Sequence, residues 1–90
     1  MYLDPYRMES TSAIASVVAT AQDIAINGKP FMISNTGAQP LYINPTGTAT
    51  SSSFLVPANT TLPIIFTCSG NLSVISNSTG TSVSVMLLTV

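Results

Sequence analysis

From residue 22 onward, strong turn signals interrupt the chain every few residues, and this punctuation constrains the fold more than any other feature. Asn27-Gly28, Asn35-Thr36-Gly37, Pro45, Pro57, Ala58-Asn59, Ser69-Gly70-Asn71 and the run from Asn77 to Gly80 leave no room for a helix of ordinary length. The pieces between them alternate. Ile24 and Ile26 share a face, as do Phe31 and Ile33, Leu41 and Ile43, Leu72 and Val74, and Val83, Val85 and Leu87. A period of two puts one face on a core and the other toward water.

The polar partners in that alternation are seldom charged. Asp4, Arg7, Glu9, Asp23 and Lys29 are all the charges in 90 residues, and none follows Lys29. Thirteen Ser, twelve Thr and six Asn do the solvating instead, in a chain that is 46% hydrophobic. Disordered chains combine low hydrophobicity with high net charge, so this chain belongs to the folded class. Its apolar segments are too short and too interrupted for a membrane span, and its first residues lack the basic-then-apolar pattern of a secretory leader.

Strands are expected over residues 22–27, 31–35, 40–44, 54–56, 62–68, 72–75 and 81–89, with residues 46–53 a flexible small-residue loop. In the 62–68 strand, Leu62, Ile64, Phe66 and Cys68 would share a face. Residues 13–21 are ambiguous. Ile14, Val17, Val18 and Ala21 fit helical spacing, but their β-branched neighbours favour a strand beginning near Ser16. Seven to eight short strands with turns at this spacing describe an all-β, antiparallel sandwich of jelly-roll type. The expected organisation is an irregular, extended N-terminal arm over residues 1–12 and a single β-sandwich domain over residues 13–90.

This composition excludes most chemistry. Acid–base catalysis near neutral pH needs a positioned His, carboxylate or Lys, and residues 30–90 contain none. Ser and Thr are weak nucleophiles without such a base beside them. One Cys and three scattered acids make no metal site. Two basic residues cannot neutralise a phosphate backbone. The expectation is a non-enzymatic protein with no cofactor, no metal, no nucleic acid and no membrane partner.

Contact with another macromolecule remains. The arm carries Tyr2, Leu3, Tyr6, Arg7 and Met8, whose apolar bodies and single cation suit docking on a partner. The last strand becomes apolar on both faces at Met86, Leu87 and Leu88. Its outer face, and that of residues 62–66, therefore need a cover, supplied by a neighbouring subunit or by the arm of the same chain. Alternation places Phe31, Phe54 and Phe66 inward and leaves Tyr42 as the exposed aromatic for a carbohydrate site. The candidate partner-binding residues are Tyr2, Leu3, Tyr6, Arg7, Met8, Met86 and Leu88. A domain this small also needs help to be stable, and without disulfide or metal that help is oligomerisation or docking.

Four segments carry a resemblance: Phe31-Met-Ile-Ser-Asn-Thr-Gly, Pro40-Leu-Tyr-Ile-Asn-Pro-Thr-Gly, Phe54-Leu-Val-Pro-Ala-Asn, and Leu72-Ser-Val-Ile-Ser-Asn-Ser-Thr-Gly-Thr-Ser-Val-Ser-Val. Their rhythm of strand, turn and threonine-rich loop resembles that of small β-sandwich structural proteins of tailed-bacteriophage virions, of the capsid decoration, cement and fibre type. The resemblance covers residues 29–90, about two-thirds of the chain. It departs at Asn59, where many such proteins have Gly, and in lacking an acidic residue near the end of the last strand. The resemblance implies a decoration or cement protein bound repeatedly on the capsid surface. The implied partner is the major capsid protein or another virion protein, and the implied state is a homo-oligomer, with a trimer favoured. A neck, tail or fibre component is the alternative, and a free carbohydrate-binding module a further one.

Overall fold

The computed structural model describes residues 6–89, which form eight strands: β1 (Arg7–Val17), β2 (Gln22–Ala25), β3 (Phe31–Asn35), β4 (Leu41–Asn44), β5 (Phe54–Val56), β6 (Thr60–Thr61), β7 (Asn71–Ile75) and β8 (Thr81–Thr89). They make two antiparallel sheets, sheet A in the order β1-β8-β3-β6 and sheet B in the order β2-β7-β4-β5. The pairs β1–β8, β2–β7, β3–β6 and β4–β5 are nested, as if one long hairpin had been rolled up with its tip at residues 45–53. This is the strand order of a jelly roll, and the all-β expectation holds.

Alternation places the core. Phe31 and Ile33 from β3 and Val83, Val85 and Leu87 from β8 face Ile24, Leu41, Val56, Leu72 and Val74 from sheet B, all buried. One polar side chain sits among them. Asn35 is fully buried, and its amide donates to Gln39 O (2.8 Å) and to Val56 O (3.0 Å). Its Oδ1 accepts from the Thr81 hydroxyl (2.7 Å) and the Gly37 N–H (3.2 Å). Each hydrogen-bonding group of the side chain is used, and the bond to Val56 joins the two sheets.

Asn27-Gly28 turns as expected, with φ of 55° and 80° and a bond from Lys29 N to Ile26 O (3.2 Å). It is not a hairpin, however. β2 and β3 lie in different sheets, so the turn carries the chain around a corner.

The structure changes four other expectations. The strand expected from Ser16 runs instead from Arg7 to Val17 and ends where that strand was to begin. Ser10 to Ile14 pair with β8, whose unpaired edge outweighs local helical spacing. The irregular arm of residues 1–12 is thereby shortened, because residues 7–12 belong to this strand rather than roofing β8. The strand over 62–68 does not form. Leu62 N bonds Ile33 O and Phe66 pairs with Phe31, so the one β3 residue between these contacts, Met32, lies opposite three on the other side. Pro63 has no N–H for the ladder and the chain loops out, leaving Ile64 57% exposed while Leu62, Phe66 and Cys68 pack on the core. Finally, the loop of residues 46–53 is tacked down. Ala49 is buried, and its N–H donates to Ser73 Oγ (2.9 Å) on the outer face of sheet B.

Candidate docking surfaces

Sheet A has an outer face in two halves. At one end hydroxyls pair across strands: Ser34 with Thr61 and Thr36 with Ser82, each at 2.7 Å. At the other end the same face turns apolar. The ladder sets Met8 opposite Leu88 and Met86 opposite Met32. Met8 is 77% exposed, Met32 and Met86 are half-buried, and Leu88 is buried. Together they border a shallow depression of about 240 Å³. Methionine suits such a place because its flexible, polarisable chain adapts to whatever packs on it.

Three of the seven candidate residues, Met8, Met86 and Leu88, are thus brought together by strand pairing. Met32 joins them and was missed, since within its own strand it is merely the outward residue between Phe31 and Ile33. Arg7 is exposed at the end of β1, opposite Thr89, and Tyr6 is exposed beside it. Tyr2 and Leu3 lie outside the described residues. A shift in register isolates Glu9 between Met8 and Ser10, where its carboxylate meets the Lys29 ammonium. This exposed pair contributes about 0.2–1 kcal/mol and pins the start of β1 to the corner before β3.

The second surface lies along the opposite edge of the sandwich. Phe54 pairs with Ile43 and so points to the inner side, as alternation requires, yet it is 62% exposed. The expectation of a buried Phe54 fails because the facing edge strand, β6, is only two residues long. Phe31 and Phe66 do pack inward, their rings tilted with centroids 5.9 Å apart. Tyr42 is half-buried. Between the sheets a slot of about 280 Å³ opens beside Phe54 and Phe66, with Cys68 on its wall. Burial pushes the Cys68 thiol up from its ordinary value, a weak bond to Gly70 O (3.8 Å) opposing the shift.

A third depression, between the 46–48 loop and the end of β2, is polar and open, with Asp23 its one charged group. Among the described residues no three His, Cys, Asp or Glu side chains come together. Searches against family models, curated proteins and solved structures find no match to this chain.

Proposed function

We propose that this chain is a non-enzymatic structural protein of a tailed-phage particle, a decoration or cement protein that binds repeatedly on the shell as a homo-oligomer and stabilises it. The observation that carries the docking is the apolar half of sheet A, where Met8, Met32, Met86 and Leu88 lie together. Burying such a patch is favourable without any charge pairing, and many identical sites on one particle multiply a modest affinity. The hydroxyl-covered remainder of the face stays hydrated. The jelly-roll strand order supports the reading only by analogy, since the fold also houses lectins and enzymes. The virion assignment itself rests on the resemblance of residues 29–90.

Counting this chain against the major shell protein in purified particles, by quantitative mass spectrometry, tests the reading. Hundreds of copies support a shell protein; about a dozen would move it to the neck or tail, and none would end the proposal. Met8→Asp, on a side chain that is 77% exposed, should cut occupancy on the particle while leaving the fold intact. Unchanged occupancy would remove the methionine patch as the docking surface.

A further inference from the structure

The strand order puts β5 and β6, the last strands of their sheets, on the same flank of the sandwich. They are also the shortest, with three and two residues. Six large hydrophobic side chains are exposed among the described residues, and four of them stand on this flank: Phe54 (62%), Leu55 (47%), Ile64 (57%) and Ile65 (39%). The slot of about 280 Å³ opens beside them, walled by Phe31, Ile43, Phe54, Phe66, Cys68 and Leu72. The opposite flank, formed by β1 and β2, exposes Arg7, Glu9 and Asp23 together with Ser, Thr and Ala, and within these two strands Met8 is the one exposed large hydrophobic.

We propose that this flank is where two copies of the chain associate, Ile64 and Ile65 of one packing against Phe54 and the slot of the other. Three observations favour a second copy over a foreign partner. The flank carries both halves of the contact, a slot and protruding branched side chains able to fill it. Residues 30–90 hold no charge, so two such flanks meet without like-charge repulsion and offer no charge pattern to select another partner. The four side chains expose on the order of 400 Å², roughly half of what one side of a stable interface buries, and the slot and flanking backbone add to it. The pairing is self-complementary, as symmetric association requires. The inference rests on the oligomeric part of the proposed function and gives it a surface distinct from the one that meets the shell.

Sedimentation equilibrium of the isolated chain between about 1 and 100 µM tests this, with Ile64→Asp and Phe54→Ser as variants and Met8→Asp as the control. The wild type and the control should associate. Both flank variants should dissociate at least thirtyfold more readily, with unchanged circular dichroism and thermal midpoint at the lowest concentration. Alkylation of Cys68, on the slot wall, should slow with rising concentration in the wild type and not in Ile64→Asp. A wild type monomeric at 100 µM overturns both this inference and the oligomeric reading. An oligomer that survives both flank variants overturns the surface and leaves the oligomer standing. Flank variants that lose particle occupancy with no change in solution mass give the flank to a shell partner and overturn the inference.

Discussion

Asn35 shows how much one polar side chain can decide in a core this small. From its place at the end of β3 it bonds four groups, one each from β5 and β8 and two from the turn between β3 and β4. Asn35→Leu would leave two carbonyls, an N–H and a hydroxyl without their partner, and should lower stability by about 3 kcal/mol in urea denaturation. Asn35→Asp should fare no better, because a carboxylate cannot donate to Gln39 O and Val56 O. Asn59 is a different case. Its φ of 52° lies in the left-handed region, which Gly and Asn tolerate and branched residues do not. A Gly at this turn would adopt the same φ without strain. Asn59→Gly should change stability by less than about 0.5 kcal/mol and Asn59→Val should cost about 1–2 kcal/mol, measured the same way. Gly37 has no such freedom to give: an added Cβ would lie 2.7 Å from Ser82 N and collide with Thr81 Oγ1. Cys68 ionises less readily than a free thiol, so the neutral form is the one the fold favours. Its contribution to stability is complete below the ordinary thiol pKa and is lost as pH rises through the raised folded value.

At the scale of elements, β1 is the part the linear sequence describes least well. Apart from Arg7, Met8 and Glu9 its exposed residues are Ser, Thr and Ala, its large apolar side chains are Met8, Ile14 and Val17, and two shifts of register interrupt its pairing with β8. Such irregularities twist an edge strand and discourage unwanted pairing. Removing residues 1–9 deletes Met8 and the Glu9–Lys29 pair but keeps Ser10 to Val17 on the sheet. The expected result is a thermal midpoint lowered by only about 5 °C, with particle occupancy lost far more steeply. Equal losses would mean that this segment serves only its own fold. The segment after β6 makes the complementary point. Leu62, Ile64, Phe66 and Cys68 read as one strand face, and three of them do pack on the core. Pro63 removes the fourth, and with it the roof over Phe54.

For the molecule as a whole, the scarcity of charge has a measurable consequence. If the apolar half of sheet A docks the chain, attachment should change less than about threefold between roughly 0.05 and 1 M salt, read as particle occupancy. A steep loss with salt would require a charged contact that only Asp4, Arg7, Glu9, Asp23 or Lys29 could supply. The nested topology makes a second expectation. β1 must find β8 across nearly the whole chain, and β2 must find β7. Folding dominated by such distant pairs belongs in the range of milliseconds to seconds, slower than a helical protein of equal length, and stopped-flow refolding can time it.

The sequence by itself determined the fold class, the inward residues of β3, β4, β7 and β8, and the places where the chain turns. Period-two patterning and turn chemistry are local properties, written in consecutive residues. Only the tertiary structure decided which strands pair, that residues 7–12 join a sheet, that Met32 completes the patch of Met8, Met86 and Leu88, and that Phe54 stays exposed on its inner face. Each of these depends on what lies across a sheet or opposite it, and no window along the chain contains both partners. Alternation names the side a residue takes; whether anything covers that side is settled by strands brought there from elsewhere in the chain.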